Sequence, residues 1–159
     1  MPRIIVFVLA AFLAVPAGAV AATRAEGDGA LSVSGASGTI VIQGDGVVYG
    51  QFDTGTLLVL DYRPDDGVST PSVSTPSVSI AKAGRGPGVY VGSNVRFLLP
   101  SGRFTIELIA ANLNASAVGH GSIVATGFGT GNDGSFTVNG GKAEPIGRVP
   151  VSDVFGRGT

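Results

Sequence analysis

The chain contains no cysteine, no tryptophan and a single histidine. Without cysteine it can form neither a disulfide nor a thiolate metal site, even in an exported setting that would permit disulfides. One histidine alone does not make a zinc site. Charge is scarce too: 13% of residues, with 10 Lys+Arg set against 11 Asp+Glu. That balance leaves no basic face for nucleic acid or anionic lipid. No long apolar run follows residue 22, so no membrane span is expected once the N-terminal segment is removed.

Glycine, by contrast, is abundant, with 26 residues. Each would cost about 1 kcal/mol relative to alanine in a helix interior. No Gly-X-Y period runs through them, which excludes collagen. Short β-branched or aromatic runs recur between Gly, Asn and Asp, in the spacing of an all-β domain. They are Leu31–Ser34, Thr39–Gln43, Val47–Phe52, Thr56–Tyr62, Val89–Val91, Asn94–Leu99, Arg103–Ile109, Asn112–Val118, Ser122–Thr126 and Ser135–Asn139. Alternation assigns Phe104, Ile106 and Leu108 to one face, and Arg103, Thr105 and Glu107 to the other. Ile40 with Ile42, and Phe136 with Val138, repeat the pattern. Leu57-Leu58-Val59-Leu60 lacks a polar face and reads as a central strand covered on both sides. Asp45-Gly46, Asp66-Gly67, Asp133-Gly134 and Asn139-Gly140 read as tight turns. The expected fold is all-β, a compact sandwich or barrel-like stack of about ten short antiparallel strands. A short β-solenoid is the alternative.

The ends differ from the middle. Met1-Pro2-Arg3 is positive, Ile4–Val15 is apolar, and Pro16 is followed by Ala17-Gly18-Ala19-Val20-Ala21-Ala22. That order of features is a secretory signal peptide over residues 1–22. A retained membrane anchor is the competing reading, with a barely sufficient apolar length. Residues 23–141 form the expected β-domain. Within it Val68–Ser79 duplicates the pentad Val-Ser-Thr-Pro-Ser, and Pro71 and Pro76 argue against a central strand. A Ser/Thr/Pro-rich exposed loop over 68–88 is expected, with an O-glycosylated patch or an edge strand as sharper readings. Residues 142–159, rich in Pro and Gly, read as a loosely docked tail.

Candidate chemistry is thin. His120 lies between two glycines and reads as a turn histidine. A Ser-His-Asp triad would need partners brought from elsewhere. Gly129-Thr130-Gly131-Asn132-Asp133-Gly134 resembles half of a calcium-roll repeat, but a single copy lacks the stacked neighbour that supplies the other ligands. The same glycines match Gly-x-Gly-x-x-Gly, yet a strand, not a helix, should follow. A glycosidase needs two facing carboxylates. Asp53, Asp61, Asp65, Asp66 and Glu107 are available and unpaired in sequence. Aromatic platforms for sugar are limited to Tyr49, Tyr62 and Tyr90. Asn114-Ala115-Ser116 is a glycosylation sequon expected to be inert. In the same run Leu113, Ala115 and Ala117 should face inward, with Asn112, Asn114 and Ser116 outward. They form either an ordinary exposed strand face or part of an in-register polar stack.

Gly46–Tyr62 (GVVYGQFDTGTLLVLDY) and Ala111–Gly141 (ANLNASAVGHGSIVATGFGTGNDGSFTVNGG) resemble small exported glycine-rich bacterial β-proteins of unknown function. These share an Ala-Val-Gly-x-Gly turn and a late glycine-rich turn before a last strand. The resemblance implies export and an all-β fold, and it brings no catalytic residue. Glycine-punctuated strands also bear a fainter resemblance to β-solenoid proteins such as bactofilins and adhesin heads.

These readings point to an exported, non-enzymatic structural or adhesive protein of the envelope or extracellular space. A carbohydrate- or protein-binding module, with Val68–Gly88 as contact, is the alternative, and an enzyme ranks last. No catalytic, cofactor or metal residue is assigned. The expected partners are a second copy, through weak self-association, or a protein or cell-wall component. The mature N-terminus should fall between Val20 and Thr23. Mass spectrometry of the exported chain checks this, and retention of Met1 would refute it.

Overall fold

The computed structural model describes residues 28–74, 77–82 and 88–156. The expected signal peptide lies outside them. The fold is all-β, and every strand pairing is antiparallel. The ten expected runs are not ten short strands, however. Nine of them merge into two continuous strands, β1 (Gly29–Pro64) and β4 (Gly88–Gly127), of 36 and 40 residues. Among the described residues no helix is long and apolar enough to cross a membrane.

β1 and β4 form one long antiparallel ribbon. Val59 faces Gly88 near the connected end, and Gly29 faces Gly119 near the open end. The ribbon then coils back on itself. Val41 pairs with Glu107 along one seam and with Val124 along the other. Val48 likewise pairs with both Leu99 and Ala117. Each middle leg is therefore hydrogen-bonded on both sides. The legs fall into two hydrogen-bonded sets. One joins residues 29–36, 113–118, 47–52 and 95–99; the other joins 119–127, 38–46, 102–110, 54–64 and 88–93.

Both sets bury one face in a shared core. Ile40, Ile42, Phe104, Ile106 and Leu108 are at most 1% exposed, as alternation predicts. Each such side chain contributes about 1.5–3 kcal/mol on burial. Leu113, Ala115 and Ala117 also point inward, and Asn112 is exposed. The Leu57–Leu60 expectation needs correction. Leu57 and Val59 are buried, but Leu60 is 43% exposed. The leg is central in the sheet, with β4 on both flanks, yet only one of its faces is covered.

A strand this long stays in contact with one core only by bending. At several bends the inward alternation is also reset. Inward positions run 29, 31, 33 and then 36, 38, 40, 42, and the slip occurs at Gly35, where φ is 59°. Asn94 and Asn112, at φ 53° and 52°, sit at equivalent slips in β4. These are bulge-like irregularities: one extra residue, positive φ and a bent strand. Asp45-Gly46 carries no such slip, since its register with residues 118–120 runs on unbroken. It is not a hairpin turn, because β1 continues through it with β4 on both sides. Gly46 and Gly119 lie side by side at φ 139° and 138°. A Cβ on either one would overlap the carbonyl oxygen of the other strand, that of Val118 or Asp45. True turns occur at Pro64–Gly67 and Val138–Gly141, each closed by an amide-to-carbonyl bond of 3.1 and 2.8 Å. The second has Asn139 and Gly140 at φ 53° and 72°, as an Asn-Gly turn requires.

Short strands border the ribbon. β2 (Ser72–Ser74) and β3 (Ser77–Lys82) pair with residues 89–98 of β4, so much of the duplicated segment is edge strand and not free loop. β5 (Ser135–Val138) flanks residues 31–34, and β6 (Glu144–Pro145) flanks β5. β7 (Val151–Phe155) pairs with residues 121–125. Residues 144–155 are thus built into the sheet, not loosely docked. Phe155 and Ile146 anchor them, at 1% and 5% exposure.

Gly46→Ala should cost about 3 kcal/mol or more, because both strain and backbone overlap oppose the methyl group. Gly147→Ala, where a Cβ would meet open space, should change stability by less than about 0.5 kcal/mol. Urea denaturation midpoints of the two variants check the contrast.

Candidate functional site

The three tyrosines take different places. Tyr62 is 5% exposed, and its hydroxyl donates to the Pro100 carbonyl at 3.0 Å. Burial, with Asp66 and Asp65 nearby, pushes its pKa above the ordinary phenol value. Tyr90 is buried at 4% exposure. Tyr49 alone is open, at 49%. It sits on leg 47–52 between the inward Val48 and the core-packed Gly50, so alternation turns it outward. In register it lies between Ser116 and Leu98.

Around Tyr49 the outer surface dips into a groove of about 510 Å³. The dip follows from side-chain length. Ser32 and Ser116 are short, whereas Tyr49, Gln51 and Arg96 stand up around them. The Phe97 ring fills the space beneath Gly50, where a Cβ would come within 2.8 Å of its Cζ. Gln51 is paired in register with Asn114 on one side and Arg96 on the other. Gln51 and Arg96 also line a second hollow of about 190 Å³, with Asp53 and Asn94, so the groove continues along the strand. β2 forms its border, since Ser72 and Ser74 pair with Leu98 and Arg96.

Hydrogen bonds fix the polar rim. The Asn114 Oδ1 accepts the Gly35 amide at 3.1 Å, and the Asn112 Nδ2 donates to Asp53 Oδ2 at 2.9 Å. The Asn114 Nδ2, the sequon's attachment atom, donates to the Asn112 carbonyl at 3.4 Å. The polar alternation is legible in the sequence but its neighbours are not, because Tyr49, Gln51 and Arg96 come from distant legs.

A second cluster lies on the outer face of the other set of legs. Asp45 is in register with both His120 and Arg103, and Ser122 follows His120 on the same side. With Gln43 and Val154 they line a hollow of about 380 Å³. His120 is therefore a strand residue beyond the Gly119 bend, not a turn residue. Serine, histidine and aspartate meet here, yet no hydrogen bond joins them among the described residues, and a triad works through those bonds.

The remaining carboxylates are dispersed. Asp61 is 3.6 Å from Arg63 in an exposed ion pair, which contributes little. Asp65 accepts the Ser101 hydroxyl at 2.5 Å. Asp66 accepts the Ser69 hydroxyl and the Ser69 and Val68 amides, which hold its pKa at about 2. Glu107 stands between Val41 and Leu58.

The Gly129–Gly134 segment closes on itself. One oxygen of the buried Asp133 accepts the Thr130 hydroxyl at 2.6 Å and its amide at 3.1 Å; the other accepts the Gly129 amide at 2.6 Å. Among the described residues no cluster of three His, Cys, Asp or Glu could hold a metal. These bonds, the Thr130 hydroxyl first, lower the Asp133 pKa despite burial. A carboxylate with a lowered folded-state pKa adds stability above its unfolded value and loses it as pH falls through the folded value. Wild type should therefore lose melting temperature below about pH 4. Asp133→Asn should melt several degrees lower at neutral pH and show a shallower acid dependence. Melting curves between pH 2 and pH 7 check both, with Asp66→Asn as the exposed comparison.

No protein-family model matches the chain, and neither a curated protein nor a solved structure does.

Proposed function

We propose that this chain is an exported, non-enzymatic protein of the envelope or extracellular space. It acts by holding a partner against its outer surface, in an adhesive or structural role. The supporting observation is the Tyr49 groove: an open aromatic ring among polar side chains, on a leg paired along both edges. Rigid placement lowers the cost of ordering on binding. Between the folds expected from sequence we favour a sandwich-like coiled ribbon over a solenoid, on the strength of the antiparallel pairing. The duplicated segment belongs to the same surface, since β2 borders the groove. Strand addition by a second copy has less to work with, because the edges are short strands and Pro145 lies in one of them.

Fractionation of cells expressing the tagged full-length chain tests this reading. The mature chain should collect outside the cytoplasm and remain on washed envelope material or extracellular polymer. Tyr49→Ala should reduce retention about tenfold, the equivalent of about 1.4 kcal/mol. His120→Ala should leave it unchanged. A cytoplasmic chain that keeps Met1, or a hydrolytic activity that disappears with His120→Ala, would refute the proposal.

A further inference from the structure

We infer that the Tyr49 groove takes a neutral, linear carbohydrate, laid along leg 47–52 from Tyr49 toward Asp53. This rests on the reading of the groove as a binding surface and names the ligand class.

Three features point to that class. The first is the polar chemistry. Neighbouring sugar hydroxyls each donate and accept, so they match side chains that offer both functions in one plane. Gln51 carries such an amide, and Arg96 and Asp53 supply a donor fork and a carboxylate acceptor at the far end. The second is the aromatic ring. A half-exposed tyrosine among polar groups presents an apolar face to the C–H side of a sugar ring and a hydroxyl at its tip. The third is charge. Arg96 and Asp53 balance one another, so the groove has no net attraction for phosphate, sulfate or a polyanion.

Geometry argues against the other occupants. A peptide most readily adds to an unpaired strand edge. Here residues 48–51 are paired with 114–117 on one side and 96–99 on the other, so this stretch offers no open strand edge. A compact apolar molecule needs an enclosing, largely apolar pocket, whereas this groove is an open run lined by Ser, Gln, Asn and Arg. Tyr49, Gln51 and Asp53 project from alternate positions over about 13 Å, a distance suited to a short oligosaccharide chain.

The test uses the mature chain on an array of neutral glucan, chitin-type and mannan oligosaccharides, followed by calorimetry with the best of them. Binding should weaken at least tenfold in Tyr49→Ala and in Gln51→Ala. It should persist in Tyr49→Phe, which keeps the ring, and in His120→Ala. All four variants should melt with wild type, since these side chains lie outside the core. Binding of a neutral oligosaccharide that is indifferent to Tyr49→Ala would overturn the site. Preferential, salt-sensitive binding of sulfated or uronic oligosaccharides would overturn the neutral class. If no oligosaccharide binds while Tyr49→Ala still releases the chain from envelope material, the carbohydrate assignment falls and the adhesive reading stands.

Discussion

The coiled ribbon depends on how closely backbones approach where the legs bend. Gly29, Gly119, Gly46 and Gly102 stand side by side in register across adjacent legs. A second row places Gly92, Gly55, Ala110, Gly38 and Gly127 together in the same way. Sequence neighbours do not explain these rows; the two registers of the coil do. A Cβ at Gly38, Gly46, Gly55, Gly102 or Gly119 would have to occupy the space of a carbonyl on the next leg. Two lines with no side chain larger than the Ala110 methyl let one long ribbon fold around one core. The double pairing, the shared apolar interior and the outward Tyr49 all follow from that.

The strands themselves were largely legible. Period-two alternation places Ile40, Ile42, Phe104, Ile106 and Leu108 inward, and the core contains them all. Their continuity was not. Asp-Gly serves equally for a hairpin and for a bent strand, because both need positive φ at the glycine. The two differ only in whether the following residues return to the same neighbour. At Asp66-Gly67 the chain leaves the ribbon; at Asp45-Gly46 it continues between two passes of β4. That distinction is a property of pairings more than fifty residues away in sequence. The same limit makes residues 142–159 look like a tail, although 144–145 and 151–155 are strands. Pro145, Pro150 and Gly147 suggest irregularity, whereas Ile146 and Phe155 reach the core through contacts with distant residues.

The candidate site was legible in its parts and not in its assembly. All three tyrosines were possible platforms, and burial separates them: Tyr62 and Tyr90 are structural and Tyr49 is open. Asn112, Asn114 and Ser116 were visible as an outward row, but Gln51 and Arg96 join that row only through the second register. Asp133 shows the converse case. Its surroundings are local, Thr130 and Gly129, so the reading of an Asn-Asp-Gly turn could be made from neighbouring residues alone.

The open end of the ribbon carries a consequence for how the chain acquires its shape. Val59 and Gly88 meet across one connection, whereas Gly29 finds Gly119 only after nearly the whole ribbon has zipped. β7 then closes over residues 121–125 from beyond both long strands. Topologies dominated by such distant pairings fold slowly, since loop entropy is lost before the contacts that offset it are made. Ordering can begin beside the Ser/Thr/Pro-rich connection and travel outward, but the last legs must wait for the C-terminal residues. A chain built this way cannot complete its pairing until its C-terminal residues are present. The last strand in sequence, β7, is therefore the one that locks the closed form.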